Sequence, residues 1–209
     1  MLLGKDVKLY TYVVQHDFAF APNPFHGFCT LATCKPEIRR TAPVGSLIVG
    51  TGCAARRRRG HLVYYMKVSE SLTFEAYWND ARFRLKRPFL RGSRMRAFGD
   101  NIYHRNSVGD GWLQENSYHS LHSGKANPVN VKTDTRTDRV LIGTEFAYWG
   151  GSGPRIPDEF RDYEGDDICA ARGHRVNFAD RLAKEFVTWM QGLGCHGVVG
   201  RPFEWSKLH

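Results

Sequence analysis

Several histidines and aspartates in the sequence are of the types that transfer protons in enzymes. Asp100 lies four residues before His104, and His119 lies three residues before His122 in a long polar segment. A carboxylate that holds one tautomer of an imidazole prepares histidine for general acid-base catalysis near neutral pH. We therefore predict Asp100, His104, His119 and His174 as catalytic candidates, and the spacing leaves open which carboxylate pairs with which histidine.

Cys34 is a further candidate for chemistry, as a nucleophile. Lys35 follows it directly, and Pro36 is predicted at the first position of a helix. A neighbouring cation and a helix N-terminus both favour the thiolate form of a cysteine. A buried and inert thiol is the alternative, which we favour from the sequence alone.

The sequence contains no complete motif for a metal or a known cofactor. Paired C-x-x-C and H-x₃₋₅-H blocks are absent, as are the P-loop, G-x-G-x-x-G and G-x-S-x-G motifs. His119 and His122 could join His104 or His174 on a metal, but isolated histidines in loops are more often hydrogen-bonded structural groups. We therefore predict no metal ligands, and the sequence identifies no cofactor.

Polar residues on the loop over residues 16–27 are predicted to contact a ligand. Pro22 and Pro24 fix the backbone of this loop, and its phenylalanines can hold it against the core. Asp17 and Asn23 are then presented on a rigid loop, unless they only satisfy backbone groups of turns. The predicted ligand-binding residues are Asp17, Asn23, Lys35, Arg39, Thr51, Arg91 and Asn101.

The net charge of +9 is concentrated in one window of the sequence. Thirteen lysines and arginines but only four acidic residues lie between residues 56 and 105, and the rest of the chain is balanced. A localised basic surface is typical of proteins that bind polyanions, although a solvated face kept for solubility has the same composition. The predicted nucleic-acid-binding residues are Arg56, Arg57, Arg58, Arg59, Lys86, Arg87 and Arg94. Tyr12, Phe20 and Tyr64 are predicted to stack on a base.

Local patterns predict most of the elements that must position these residues. Strands are predicted over residues 8–14, 29–32, 47–52, 61–68 and 138–149. The last of these has a break at Gly143. One short helix is predicted to begin at Pro36, and another is predicted to follow a cap at Ser71 or Thr73.

The C-terminal part of the chain carries the longest predicted helix. Asn177 is predicted as its N-cap, and an apolar stripe continues to Gly194. By contrast, residues 82–135 show no sustained periodicity and are predicted to form basic and polar loop excursions. They include a long loop over residues 105–130.

Length and composition indicate one globular domain over residues 1–209. The chain is 42% hydrophobic and 24% charged, with no apolar stretch long enough to span a membrane and no signal-peptide pattern. Its five cysteines are odd in number and scattered, which is typical of a reducing compartment. We predict a cytoplasmic α+β protein that has no membrane partner. Its core is predicted as a mixed curved sheet or small PUA-like barrel, with a short helix after the first strands and a C-terminal amphipathic helix packed on it.

Several short motifs occur together along nearly the whole chain. They are Asn23-Pro24-Phe25, CTLATCKP over residues 29–36, Val49-Gly50-Thr51-Gly52, FGDNIYH over residues 98–104 and Arg172-Gly173-His174. With these motifs, the sequence resembles the nucleotide modification associated domain 2 family. The resemblance implies a nucleotide context, through association with nucleic-acid modification and mobile elements, and no established reaction. The order of elements is also similar, by topology alone, to PUA-like domains such as EVE and ASCH.

Charge and resemblance together predict recognition or processing of a nucleotide or modified nucleobase through a basic polar cleft. The setting would be DNA or RNA modification or phage defence, and the partner a nucleotide or nucleic acid. One alternative is an acid-base enzyme that uses histidine and aspartate groups on a nucleotide substrate. Another is an accessory subunit that binds a protein. Whether the protein is an enzyme, and its oligomeric state, stay open at this point.

Overall fold

The computed structural model of the protein describes residues 8–105 and 111–207. The strands in these ranges are β1 (Leu9–Val14), β2 (Cys29–Leu31), β3 (Leu47–Gly52), β4 (Leu62–Lys67), β5 (Glu70–Leu72), β6 (Tyr103–Arg105), β7 (Trp112–Gln114), β8 (Val140–Gly143), β9 (Glu145–Tyr148), β10 (His174–Arg175) and β11 (Gly197–Val198). The α-helices are α1 (Pro36–Thr41), α2 (Phe74–Asn79), α3 (Arg94–Ala97), α4 (Pro128–Asp134) and α5 (Asp180–Gly192). Short 3-10 helices occupy Ala54–Arg56, Ala81–Lys86, Gly150–Ser152, Asp158–Phe160 and Phe203–Lys207. None of the helices in these ranges combines the length and the apolar character that crossing a bilayer requires.

The α+β class is confirmed, and the sheets are open, so the small closed barrel is not formed. The described residues belong to two compact units. The first contains residues 8–17, 42–68 and 144–207, and the second contains residues 18–41 and 69–143. The predicted break at Gly143 in the strand over residues 138–149 is confirmed, since β8 ends there and β9 begins at Glu145. The two strands belong to different units. The single domain over the whole chain stays a prediction.

The first unit is built on a six-stranded sheet in the order β10-β1-β3-β4-β9-β11. β1 runs parallel to β3, and β4 runs antiparallel to both β3 and β9. β1 and β3 are buried along nearly their whole length, in agreement with their continuous apolar sequences. Gly50 in β3 is needed because a Cβ there would overlap the aromatic ring of Tyr64.

The C-terminal helix α5 packs on this sheet as predicted. Leu182, Phe186 and Met190 lie on one helical face and are buried in the same core cluster as the sheet residue Leu9. The predicted N-cap at Asn177 is wrong, because the helix begins at Asp180 and no side chain caps it. Ala179, with φ −57° and ψ 134°, occupies the cap position of this helix. The Asn177 side chain therefore does not cap it.

The second unit contains a three-stranded sheet in the order β2-β8-β5 and the hairpin β6-β7. Its core is largely aromatic and consists of Phe20, Ala32, Phe74, Tyr77, Phe83, Ile102, Tyr103, Val140 and Ile142. α1 begins at Pro36 as predicted. α2 is capped by Thr73, whose side-chain oxygen accepts a hydrogen bond from the N–H of Ala76.

Residues 82–135 are more regular than the predicted loop excursions. The 3-10 helix Ala81–Lys86, the helices α3 and α4 and the hairpin β6-β7 lie in this region. Asn127 caps α4 by accepting a hydrogen bond from Val129 N–H, and Pro128 fills the first helical position. Within the predicted long loop over residues 105–130, residues 106–110 lie outside the described residues.

Candidate active site

A thiol, an imidazole and a carboxylate meet in the second unit. Cys34 lies between β2 and α1, His119 lies in the turn before α4, and Asp134 is the last residue of α4. The Cys34 Sγ is 3.5 Å from His119 Nε2, and His119 Nδ1 donates a hydrogen bond of 2.7 Å to Asp134 Oδ2. The three groups therefore lie in one hydrogen-bonded line, in the order that nucleophile, base and orienting carboxylate have in catalytic triads.

The backbone at Cys34 is held in an uncommon conformation. Cys34 and Lys35 have φ angles of 56° and 39°, in the left-handed region that non-glycine residues seldom adopt. The Cys34 N–H donates a hydrogen bond of 2.7 Å to Asp134 Oδ1. The same carboxylate thus orients the His119 imidazole with one oxygen and the Cys34 backbone with the other.

The Asp134 carboxylate is itself fixed by a further hydrogen bond. Its side chain is only 2% exposed, and its Oδ2 accepts from the Tyr103 hydroxyl at 2.9 Å. Burial, together with the charge of Asp134, holds the pKa of Tyr103 well above its usual range. Gln114 Nε2 donates to the Tyr103 hydroxyl at 2.8 Å, which leaves the tyrosine proton for Asp134.

His119 is held in place and charged by its surroundings. Its side chain is 13% exposed, its ring packs on Phe20 with centroids 4.7 Å apart, and its carbonyl accepts a hydrogen bond from Asn130 Nδ2. Burial lowers the pKa of His119, but the hydrogen bonds to Asp134 and Cys34 and the nearby negative charges outweigh it and raise the pKa to about 9. The imidazole is therefore protonated at neutral pH.

Lys35 adds a cation beside the thiol. Burial lowers the pKa of its ammonium group, and the charge of Cys34 opposes that decrease. Lys35 directly follows Cys34, so its prediction as a ligand-binding residue is compatible with this site.

The three residue types are also those that bind zinc, and their ligand atoms lie within 4.8 Å of one another. However, Asp134 bonds the Nδ1 of His119, whereas the Cys34 thiol faces the Nε2. A metal bound to Nε2 at about 2.0 Å would lie on the far side of the ring from the carboxylate. The arrangement therefore fits a catalytic triad better than a three-ligand metal site.

Arg39, predicted to bind a ligand, is instead fully buried and directed at backbone carbonyls. Its guanidinium donates to the carbonyl oxygens of Cys34, Asp134, Thr137 and Arg139 over distances of 2.5–2.9 Å. Burial lowers the pKa of Arg39 to about 10, against the opposing charge of Asp134. Arg39 therefore connects the backbone at Cys34 with the backbone at Asp134.

Lys86, predicted to contact nucleic acid, is also fully buried. Its ammonium group donates three hydrogen bonds, to the backbone and side-chain oxygens of Asn23 and to the carbonyl of Phe28. Burial lowers the pKa of Lys86 to about 8. Both Lys86 and Asn23 are buried, so neither side chain is accessible to a ligand in this structure. Their hydrogen bonds fix the loop that contains Asn23.

Asp100 and Asn101, predicted as a catalytic and a ligand-binding residue, lie in the same interior. The Asp100 carboxylate accepts hydrogen bonds from Thr30 Oγ1 at 2.6 Å and from the Tyr77 hydroxyl at 2.9 Å. Burial raises the pKa of Asp100, and Asn101 Nδ2 donates to the carbonyl of Tyr77. The expected Asp100–His104 pair is not formed.

His104 is instead part of a surface stack. Its ring lies parallel to Trp78 with centroids 4.1 Å apart, and its Nε2 is 2.9 Å from Glu115 Oε1. The Arg87 guanidinium lies 3.7 Å from the centroid of the Trp78 ring and donates to the Trp78 carbonyl. Arg91 and Arg94, by contrast, are exposed.

In the first unit, Asp17, Arg56 and Arg58 line a small pocket that is partly open to solvent. The Asp17 carboxylate accepts hydrogen bonds from the Tyr148 hydroxyl and from the Phe203 N–H, and Arg56 Nε donates to Glu204 at 2.7 Å. Asp17 and Arg56 therefore fix the C-terminal segment at this pocket.

The other predicted residues of the first unit are dispersed. Thr51 is buried and its hydroxyl donates to the carbonyl of Tyr12, while the catalytic candidate His174 stacks on Tyr10. Arg57 and Arg59 are exposed. The aromatics predicted to stack on a base, Tyr12, Phe20 and Tyr64, are all buried.

Sequence reasoning identified Cys34 and His119 separately but did not select Asp134 or Tyr103. Asp134 lies 100 residues from Cys34, so no spacing rule connects them. The available signal was the Asn-Pro start of α4, which predicts a helix whose last turn carries Asp134.

No curated protein and no solved structure matches the chain. The family model described as nucleotide modification associated domain 2 matches residues 6–209. The chain therefore belongs to the nucleotide modification associated domain 2 family, as its motifs predicted.

Proposed function

We propose that the protein is an enzyme that processes a nucleotide or modified nucleobase through a covalent intermediate on Cys34. The observation that carries this proposal is the line from Cys34 Sγ through His119 to Asp134. Family membership supports the nucleotide context, and the triad supports the reaction type. This proposal replaces the inert thiol that we favoured from the sequence, because Cys34 is half-buried against an imidazole rather than enclosed in the core.

In the proposed reaction the Cys34 sulfur is the nucleophile and attacks as a thiolate, with His119 Nε2 3.5 Å away. With a pKa of about 9, His119 carries the Nε2 proton at neutral pH and donates it towards Sγ. The sulfur electron pair forms a bond to an electrophilic carbon of the substrate. The bond from that carbon to the leaving group breaks, and the leaving group departs with the proton from Nε2.

The second half of the reaction restores the enzyme. Water or another acceptor attacks the same carbon and gives its proton to His119 Nε2. The bond between carbon and sulfur breaks, and its electron pair returns to Cys34 as the thiolate. Throughout, Asp134 keeps the proton on Nδ1 and stabilises the imidazolium. Lys35, the residue after Cys34, is proposed to hold negative charge on the substrate.

Thiol labelling tests the first step without knowledge of the substrate. The protein contains two other partly exposed cysteines, Cys53 and Cys195, which serve as internal references. We expect iodoacetamide at pH 7 to label Cys34 about tenfold faster than Cys53 or Cys195, because only Cys34 has an imidazole nitrogen, His119 Nε2 at 3.5 Å, that can assist attack by the sulfur. Peptide mass spectrometry gives the three rates. The proposal fails if Cys34 reacts no faster than the references, or if His119→Gln leaves its rate unchanged.

Adduct trapping tests the substrate class. The protein is incubated with a nucleotide extract of its host cells and its intact mass is measured after rapid acid quenching. A mass increment that maps to Cys34, carries a nucleotide fragment and is absent in Cys34→Ala supports the proposal.

The described cysteines are all free thiols, which suits the reducing cytoplasm in which we propose that the enzyme acts.

A further inference from the structure

One surface segment of the second unit is rich in basic residues, of which Arg82 is paired with Glu70 and Asp80. Residues 81–99 contain seven lysines and arginines and no aspartate or glutamate. Within this segment, the side chains of Arg84 and Arg91 are exposed and form no hydrogen bond or ion pair with the described residues. These two guanidinium groups are available to an anionic partner.

The same segment exposes large apolar side chains. Leu85, Phe89, Leu90 and Met95 are 49%, 53%, 52% and 42% exposed. Soluble proteins seldom expose apolar side chains in such a group without a binding role. We refer to residues 84–96 as the arginine-rich loop.

The arginine-rich loop is ordered by its own backbone. Phe89 N–H donates to the carbonyl of Arg96 at 2.8 Å, and Gly92 N–H donates to the carbonyl of Phe89 at 3.0 Å. A Cβ at Gly92 would lie 2.7 Å from Phe89 Cδ1, so only glycine allows the phenylalanine ring to occupy this place. The Arg96 guanidinium lies 5.8 Å from the centroid of the Phe89 ring. A half-exposed aromatic ring is thus presented beside the Arg96 guanidinium on a turn that backbone hydrogen bonds hold.

We propose that the arginine-rich loop binds a single-stranded polynucleotide. Arginines contact phosphates, and an exposed aromatic ring stacks on an unpaired base, which a duplex does not offer. Charge complementarity selects a polyanion, and the family's nucleotide context selects a nucleic acid over an anionic membrane. The inference rests on the proposed function and extends it: the nucleotide processed at Cys34 belongs to a strand.

Fluorescence anisotropy with a labelled 20-nucleotide single strand of mixed sequence tests the inference. Arg84→Gln/Arg91→Gln removes two exposed charges, and Arg172→Gln/Arg201→Gln is the matched control because both of its arginines are exposed in the first unit. Between 50 and 200 mM salt, we expect the slope of log K against log salt to be shallower by about 1.4 in the first variant only.

The stacking contribution is tested by Phe89→Ala. Its control is Val44→Ala, which truncates an apolar side chain that is 57% exposed in the first unit. We expect Phe89→Ala to weaken binding about fivefold or more and Val44→Ala to leave it unchanged. Both variants are checked for an unaltered circular dichroism spectrum and melting temperature before binding is measured.

Three results would overturn the inference. They are equal binding by the loop variants and their controls, tighter binding of a duplex of the same sequence, and loop-dependent binding of phosphatidylserine vesicles with no binding of the strand. Iodoacetamide labelling of Cys34 is measured on the same native preparation. Fast labelling without loop-dependent binding refutes the docking surface alone, and ordinary labelling refutes the proposed catalysis whatever the strand binds.

Discussion

Replacement of Asp134 by asparagine tests the electrostatic basis of the triad. The Asp134 carboxylate accepts hydrogen bonds of 2.7 Å from both His119 Nδ1 and the Cys34 N–H. Asparagine keeps the shape of the side chain and one oxygen that can accept from Cys34, but it removes the negative charge. We expect the pKa of His119 to fall, because burial lowers that pKa and the charge of Asp134 no longer opposes it.

The magnitude follows from the pKa of His119. A rise from 6.5 to about 9 corresponds to about 3 kcal/mol in favour of the protonated imidazole. Asp134 and Cys34 share this stabilisation, and the hydrogen bond to Asp134 is the largest favourable contribution. Asp134→Asn should therefore bring the pKa of His119 below about 8, a loss of about 1.4 kcal/mol or more.

An NMR titration of the imidazole carbon-bound protons between pH 5 and 10 measures this change. The His119 resonance is assigned by its absence in His119→Gln. Glu115→Gln is a suitable control because Glu115 contacts His104 and not His119, so the pKa of His119 should stay near 9. Titration of His119 near 6.5 in the native protein, or above 8.5 in Asp134→Asn, would refute this account of the site.

Three further predictions concern stability, each measured by urea unfolding. Arg39→Met should lower the free energy of unfolding by about 3–5 kcal/mol, because four carbonyl oxygens lose a buried donor. Arg40→Met, on the exposed face of α1, is the control and should lower it by less than about 1 kcal/mol. Asp100→Ala should cost about 3 kcal/mol, since it removes the acceptor of two buried hydroxyls, and the exposed Asp158→Ala serves as its control. Because the pKa of His119 is raised in the folded protein, protonation of His119 stabilises the fold. This stabilisation is complete below pH 6.5 and is lost as the pH rises through about 9. The native protein should therefore lose up to about 3 kcal/mol relative to His119→Gln between pH 6.5 and 9.5.

The elements that local patterns specify could be predicted, and the contacts between distant segments could not. β1 and β3 were predictable because apolar and β-branched residues run continuously, and the start of α1 was predictable because Pro36 suits the first helical position. Asn177 has the capping type, yet the helix begins at Asp180, since a capping signal is only one of several weak local preferences. Element bounds therefore follow from local chemistry to within a few residues.

Lys86 shows why the candidate site was harder to predict than the fold. It stands in a run of cations whose other members include exposed arginines, and composition alone gives every member the same role. What distinguishes Lys86 is that three oxygens of Asn23 and Phe28, about sixty residues away, converge on its ammonium group. Such convergence depends on the packing of the whole unit and leaves no mark on local spacing.

The backbone at Cys34 gives the strongest physical reason to regard the thiol as functional. Two consecutive non-glycine residues with positive φ cost about 1–3 kcal/mol each, and glycine at either position would avoid that cost. The chain holds this conformation from both sides, because Asp134 accepts from the Cys34 N–H and Arg39 Nε donates to the Cys34 carbonyl at 2.9 Å. Asp134 also accepts from His119, and Arg39 also donates to the Asp134 carbonyl. The strain and the placement of Sγ beside His119 therefore arise from the same contacts. A cysteine kept only to fill space would need neither the strain nor the two buried charges that maintain it.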